Sequence, residues 1–484
     1  MKKYIIYLFV AMTGLSLTSG CNNSDGQSSV KIAADVISAE PPRPAGQTDV
    51  MDLRCDPVPV VRIAFIGLGQ RGPGAVDRMM NIAGIEVKAI CDLESYNIGR
   101  VQDILKRNGR PEAVAYSGEE DWKKVCERDD IDLVYVTTHW ALHAPICIYA
   151  MEHGKHAVTE IPMALTMEEC WQLVNTAERT RRHCMMLENC VYDFFEMATL
   201  NMAQKGLFGE VVHVEGAYIH DLREHNFNPR LREAPSDEPG AEAAGSKRPS
   251  LIGYWNYWRL KENTGRNGSL YPMHGLGPVA QILNINRGDK MDYLVSLSSN
   301  QFNMTAYAQK RFGEDSDEAK TEYRKGDMSS TLIKTAKGKS ILIQHDVSSP
   351  RPYNRLHTIS GTGGFARKYP ILQLAFEPNA HSAMNKEDME ALLQEYEHPV
   401  TKEIGELARK VGGHGGMDFI MDYRLIYCLQ NGLPLDMNVY DGVAWSAVIP
   451  LSEFSTANNS YPVKIPDFTR GGWKKTSGFQ HAVK

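Results

Sequence analysis

Val61-Arg62-Ile63-Ala64-Phe65-Ile66-Gly67-Leu68-Gly69-Gln70-Arg71-Gly72 decides the fold of this chain. Its first half is an apolar run in which Ile63, Phe65 and Ile66 are β-branched or aromatic, the composition of a buried strand. Its second half carries Gly67, Gly69 and Gly72 at G-x-G-x-x-G spacing. The first glycine permits a tight turn, and the second lets backbone approach a pyrophosphate. The third lets the next helix pack close to the strand, with its N-terminal N–H groups facing the phosphates. A glycine triplet alone is a weak signal, and an ordinary αβ turn is its bland reading. Here a helix is expected over 74–83, then a second apolar strand over 85–90 that ends at Asp92. That acid stands at the distance where a ribose hydroxyl of NAD is bound, so context favours a dinucleotide site.

The same alternation continues outward. Residues 131–138 read as a further buried strand that runs into His139-Trp140-Ala141-Leu142-His143. Ligands bind beyond the carboxyl ends of such strands, which places Trp140 and His143 at the cofactor edge. His139 and His143 have the i, i+4 spacing of a zinc pair. No glutamate follows the first histidine and no third ligand stands nearby, so no metal is expected. Residues 156–159 lead into Glu160-Ile161-Pro162. A helix over 166–182 follows, with Thr166 as N-cap and Glu169 completing a capping box. Met185-Met186-Leu187 completes the first sheet, and Asn189 stands at its end.

At 484 residues and 43 % hydrophobic composition the chain can bury a large core, in two domains. A net charge of -6 offers no basic surface for nucleic acid. The nine cysteines contain no C-x-x-C pair, which argues against a zinc ribbon or disulfide scaffold. Lys2 and Lys3 precede an apolar run over 4–12, and Thr18, Ser19 and Gly20 precede Cys21. This resembles a bacterial lipoprotein signal, cleaved before a lipidated Cys21; the run is short for a membrane span. The expected location is the bacterial cell envelope, with the lipid as membrane anchor. Residues 21–57, rich in Ser, Asp, Pro and Gly, read as a flexible tether. The expected organisation is thus 1–20 signal, 21–57 tether, 58–188 Rossmann domain and 189–484 substrate domain.

In the second half, residues 195–206 read as a helix capped by Gly206, and 211–220 alternate as a half-buried strand. Residues 228–250 read as a surface insertion. Trp255-Asn256-Tyr257-Trp258-Arg259 and Tyr271-Pro272-Met273-His274 follow within twenty residues. Flat aromatic faces with directional donors suit a sugar; the competing reading is an aromatic interface between domains. Arg259 and His274 beside the rings favour the ligand site. Residues 293–299, 328–335 and 340–347 read as strands of a largely antiparallel second sheet. Arg351-Pro352-Tyr353-Asn354-Arg355 reads as a polar aromatic turn. Gly412-Gly413-His414-Gly415-Gly416 is either a ligand-approaching loop or a tight turn before a helix over 417–431.

The βα half, with Glu160-Ile161-Pro162, resembles the glucose-fructose oxidoreductase and inositol dehydrogenase superfamily. Many of its members carry Glu-Lys-Pro there, with the lysine assisting hydride transfer. Asn201-Met202 with Gly206-Leu207-Phe208-Gly209, Glu215-Gly216-Ala217-Tyr218-Ile219-His220-Asp221, Tyr271-Pro272-Met273-His274-Gly275-Leu276-Gly277-Pro278 and Gly413-His414-Gly415-Gly416-Met417-Asp418 sharpen the likeness. They resemble glycoside hydrolase family 109, the NAD-dependent α-N-acetylgalactosaminidases, over nearly the whole chain after residue 58. Ile161 in place of lysine fits that branch. The resemblance implies that Gly69, Gln70, Arg71, Asp92, Trp140, His143, Glu160, Ile161 and Asn189 hold NAD. It also implies that Tyr218, Arg259, Tyr271, Pro272, Met273, His274 and Tyr353 line the sugar site. Residues 228–250 and 311–325 stand as insertions relative to typical members.

The family's route, as the resemblance implies it, is oxidation at C3, elimination across C1–C2, addition of water at C1 and reduction at C3, with retention. Its cofactor carries the hard step. His274 and Tyr271 are the expected acid–base groups, Tyr271 activated by Arg259. The exact sugar stays open, as do two rival classes: a net sugar or cyclitol oxidoreductase and a cofactor-binding protein without turnover. The large second sheet is where a second copy of the chain would pair.

Overall fold

The computed structural model describes residues 23–228 and 253–483. Cys21 with its leader, and nearly all of the 228–250 insertion, lie outside the described residues. The first sheet contains β1 (Val61–Ile66), β2 (Ile85–Cys91), β3 (Val114–Tyr116), β4 (Leu133–Val136), β5 (His156–Thr159) and β6 (Cys184–Met186). All six are parallel, in the order β3-β2-β1-β4-β5-β6. The order reverses between β1 and β4, which opens a crevice at their carboxyl ends. β4 and β5 are buried at every position, as parallel strands covered on both faces must be. The capping box of Thr166 and Glu169 is formed and starts the helix Met167–Thr180.

The second sheet contains β7 (Val211–Ile219), β8 (Met291–Ser298), β9 (Ser329–Thr335), β10 (Ser340–Asp346), β11 (Asn354–Gly361), β12 (Gly364–Arg367), β13 (Gln373–Phe376) and β14 (Val463–Lys464). Its order is β13-β12-β11-β7-β10-β9-β8-β14. Only the β7–β10 pair is parallel. The fold is therefore a Rossmann domain followed by a mostly antiparallel open sheet. Residues of the 311–325 insertion join a small satellite core, in which Ala319 and Tyr323 pack with Phe227 and Met304.

Two late helices bind the halves together. Met417–Gln430 lies against the first sheet, where Asp422 accepts hydrogen bonds from Arg78 (2.8 Å) and Tyr135 (2.9 Å). Val439–Ala457 touches both sheets' surroundings: Ser446 Oγ accepts from Met163 N at 3.1 Å, and Ser455 Oγ from Ser296 N at 2.9 Å. Part of the chain read as substrate domain thus closes the cofactor domain.

The tether reading of 21–57 is corrected. Asn23–Ile37 is a helix, and Val50, Met51 and Leu53 are buried in the main core. Arg43 forks onto buried Glu178 at 3.0 and 3.1 Å, and Val50 N donates to Tyr440 Oη at 3.0 Å. A few spaced anchors hold a segment whose average composition is polar.

Candidate active site

The glycine turn has the shape its spacing requires. Gly67 has φ +88°, and a Cβ there would lie 2.7 Å from the Thr137 carbonyl carbon at the end of β4. A Cβ on Gly72 would lie 2.4 Å from the Gly67 oxygen, so the helix Gly72–Met79 can start only on a glycine. A Cβ on Gly69 would meet no protein atom within 4 Å. The middle glycine therefore faces open space, where a pyrophosphate needs backbone access. Asp92 accepts from Leu68 N through Oδ2 (2.6 Å), and from Glu94 N and Asn97 Nδ2 through Oδ1. Its carboxylate is thereby held beside the glycine turn. These residues fit a dinucleotide.

Around this turn runs a polar clasp. Arg71 pairs with Glu160 at 2.9 Å and with Asp418 at 3.3 Å. Asp418 also takes His414 Nδ1 (2.9 Å), Arg78 (3.5 Å) and Asn189 Nδ2 (2.5 Å). Burial alone would raise the Asp418 carboxyl. The His414 hydrogen bond and the charges of Arg71 and Arg78 outweigh burial and hold it well below the ordinary carboxylate range. The glycine loop over 412–416 is thus part of the site: Gly412, Gly413, Gly415 and Gly416 all have positive φ, which brings His414 back onto Asp418.

Beside the clasp lies a cavity of about 320 Å³ lined by Asn189, Cys190, Tyr218, His220, His274, Tyr353, His414 and Met417. Tyr218, His274 and Tyr353 are where the sequence placed a sugar. Tyr218 is centred among rings, 4.8 Å from Tyr271, 5.4 Å from His274 and 6.2 Å from Tyr353. Its hydroxyl hydrogen-bonds His220 Nδ1 at 3.0 Å. Burial, then the Arg259 charge, lowers His220 to about 4, so its ring is neutral beside the phenol. A larger open groove of about 800 Å³, beside Arg266, Asn300 and Glu453, contains none of the predicted residues.

Several expectations change. Arg259 does not line the cavity. It is buried beneath rings, with its guanidinium 4.7 Å from Tyr271, 5.1 Å from Trp140 and 5.9 Å from Tyr218. Its Nη1 donates to Tyr254 Oη at 2.9 Å. Trp140 stacks on Tyr271 at 5.7 Å and forms the floor of the same layer. Tyr271 is buried, and burial outweighs the opposing Arg259 charge, so its hydroxyl is held well above its ordinary value. The expectation of a Tyr271 activated as a base by Arg259 is therefore corrected: burial keeps the phenol protonated.

His143 stands at the carboxyl ends of β4 and β5, with its ring turned inward. Its ring is buried, with Nδ1 2.7 Å from Pro162 O and Nε2 3.0 Å from Thr138 O. Burial lowers its pKa, so the neutral ring donates to one of these carbonyls and ties two strand ends together. Both nitrogens are occupied, which removes the His139–His143 pair as a chelate. Met273 is fully buried in the core, because one residue along a helix turns the side chain away from the face that His274 presents. Pro272 is its buried N-cap neighbour. Ile161 is packed in the core. Gln70 is exposed on the glycine turn.

Glu188 and Cys190 stand in no motif quoted above, and His220, Met417 and Asp418 stand in quoted motifs without a role. Glu188 lies 2.8 Å from His274 Nδ1, and Cys190 Sγ 3.1 Å from the same nitrogen. These three offer metal-type donors within 4.8 Å of one another. Burial lifts the Cys190 thiol well above its ordinary value, so in the absence of a metal its sulfur is an S–H. The strand-end rule that pointed to Asn189 applies equally to its neighbours.

Comparison with known proteins agrees with this geometry. Residues 192–475 match the family model described as "Glycosyl hydrolase 109, C-terminal domain". Residues 61–188 match "Oxidoreductase family, NAD-binding Rossmann fold". The chain belongs to glycoside hydrolase family 109. A Bacteroides fragilis protein named "Alpha-N-acetylgalactosaminidase" is 53 % identical over 429 residues, 89 % of this chain and 96 % of that one. A second Bacteroides fragilis protein, "Glycosyl hydrolase family 109 protein 1", is 48 % identical over 100 % of this chain and 99 % of its own length. Among solved structures, a levoglucosan dehydrogenase in complex with NADH and L-sorbose superimposes with a TM-score of 0.59. It has 18 % identity and covers 84 % of this chain and 100 % of its own. At that identity the likeness is one of fold. As a member of family 109, the chain is a glycoside hydrolase with an NAD-binding domain.

Proposed function

We propose that this protein hydrolyses terminal α-N-acetylgalactosaminides by the NAD-dependent route. The observation that carries the reading is the cavity wall. Tyrosines and histidines line it beside a complete dinucleotide turn, and among the described residues no aspartate or glutamate lines it. Direct displacement at a glycosidic bond needs two carboxylates flanking that bond. NAD, when bound, supplies reversible oxidation of a sugar hydroxyl carbon, and Gly69, Asp92 and Asn189 are the residues that would hold it. His274 is the acid–base group of the cycle. Tyr218 and Tyr353 hold the sugar through their hydroxyls and rings. Tyr271, Trp140 and Arg259 keep those rings in place and water out.

The test is hydrolysis of 4-nitrophenyl α-N-acetylgalactosaminide in heavy water. Solvent deuterium at C2 of the released sugar, with activity lost when NAD is stripped, supports the route. Unlabelled C2 with activity indifferent to NAD refutes it. Net NADH formation in proportion to substrate would favour the sugar oxidoreductase reading.

The N-terminal pattern of Lys2-Lys3, an apolar run and Cys21 supports export and lipid anchoring in a bacterial envelope. The outer face of the second sheet supports pairing with a second copy. Leu297 and Leu332 are exposed there at 66 % and 53 %, with Tyr293 and Val212 also exposed.

A further inference from the structure

We propose that Glu188 is the positioning partner of His274 and that the two work as a carboxylate–imidazole dyad. The inference rests on the reading of His274 as the acid–base group. Glu188 stands just beyond β6 and is fully buried. Its Oε1 lies 2.8 Å from His274 Nδ1 and accepts from Cys190 N at 2.9 Å. Its Oε2 has no partner among the described residues.

Oε1 already accepts from Cys190 N, and the Cys190 thiol donates to Asn189 Oδ1, so the Glu188 contact selects the ring form with hydrogen on Nδ1. Nε2 is then bare, on a ring that lines the cavity. In the acid–base step the proton leaves the sugar for Nε2 and later returns from it. The charge that forms on the ring meanwhile faces Glu188.

Local sequence explains how the pair is brought together. His274 is in the first turn of the helix Met273–Ile282. A Cβ at Gly277 in that helix would lie 2.9 Å from Glu188 Cγ, and one at Gly275 would lie 2.1 Å from Ala217 N in β7. The two glycines let the helix settle between Glu188 and the strand that carries Tyr218. A buried carboxylate with an unpartnered oxygen is costly. As core filling, Glu188 is a poor choice; as the orienting group of a ring that becomes charged, it has a physical reason.

The experiment uses the NAD-loaded enzyme and 4-nitrophenyl α-N-acetylgalactosaminide. Glu188→Gln keeps the shape, but its amide can donate to Nδ1 and so favour hydrogen on Nε2. The expected loss in kcat is roughly a hundredfold or more, the scale of disabling a general base. KM stays within about threefold and NAD content is unchanged, since removed transition-state interactions leave binding intact. In a His274→Ala background the same change costs less than about twofold, because Glu188 acts through that ring. Retention of more than about a third of kcat by Glu188→Gln, or an equal loss in both backgrounds, overturns the dyad. Should Glu188→Gln fold poorly, nitrogen NMR of histidine-labelled wild-type enzyme decides, with the His274 signal assigned by its absence in His274→Ala. Hydrogen on Nδ1 is the expected result, and hydrogen on Nε2 overturns it. Because the NMR measurement needs no turnover, failure of the glycosidase reading and failure of the dyad are told apart.

Discussion

Asn189 Nδ2 donates to Asp418 Oδ1 at 2.5 Å, joining the end of β6 to the first turn of the helix Met417–Gln430. Through this bond the last strand of the cofactor sheet and the glycine loop around His414 share one carboxylate with Arg71 of the dinucleotide turn. The clasp couples the backbone of the dinucleotide turn to the wall of the cavity.

Asp418→Asn tests that coupling. Removing one charge from a buried ion-pair network costs about 3 kcal/mol or more. The variant should unfold at lower denaturant and lose NAD on gel filtration, where wild type retains it. The folded-state carboxyl lies below its unfolded value of about 3.9. Its contribution is therefore present above about pH 4 and is lost as pH falls through the lower folded value. The stability gap between wild type and Asp418→Asn should narrow below about pH 4. Equal NAD retention by the two proteins would remove the clasp from cofactor binding.

Tyr271→Phe separates donor from base. Burial holds this hydroxyl well above its ordinary value, so it loses no proton in the working range. The shape of the kcat/KM pH profile between about pH 6 and 9 should be the same in Tyr271→Phe and wild type. His274→Ala should lose roughly a hundredfold or more in kcat. Disappearance of a limb of the profile in Tyr271→Phe would restore the tyrosine as an ionising catalyst.

The parallel sheet was legible because its strands are short, apolar and separated by helix-length polar segments, which only one architecture buries. The glycine turn and Tyr218, His274 and Tyr353 were legible for the same local reason: their motifs are contiguous. Arg259 and Tyr271 were placed in the right layer but given the wrong chemistry. Burial decides the state of a tyrosine, and burial is a tertiary property. The inward turn of the His143 ring was not legible, because a strand-end position says nothing of which way a ring turns. Glu188 and Asp418 were missed as actors because their partners lie 86 and 229 residues away. Val50, Met51 and Leu53 were hidden by the polar residues around them.

Cys21→Ala tests the anchor. If lipid on this thiol is the membrane attachment, the variant should move from the membrane pellet to the soluble fraction with its specific activity unchanged. A variant that still sediments with membranes would mean that another segment holds the protein there.

The glycine turn offers the cleanest separation of fold from cofactor. Gly67→Ala would press a Cβ to 2.7 Å from the Thr137 carbonyl carbon at a φ of +88°, and Gly72→Ala would press one to 2.4 Å from the Gly67 oxygen. Both contacts are with backbone that cannot yield, so both variants should lower the melting temperature. Gly69→Ala meets no protein atom within 4 Å. A methyl group there occupies only the space left for the pyrophosphate. Gly69→Ala should therefore melt close to the NAD-free wild type while binding NAD at least tenfold more weakly, on the order of 1.4 kcal/mol. Denatured wild-type protein should release bound NAD, and denatured Gly69→Ala should release little. Calorimetric titration of the stripped proteins measures the difference directly. Equal affinity in Gly69→Ala and wild type would show that the cofactor does not cross this turn, leaving the three glycines as a device for packing β1 against β4.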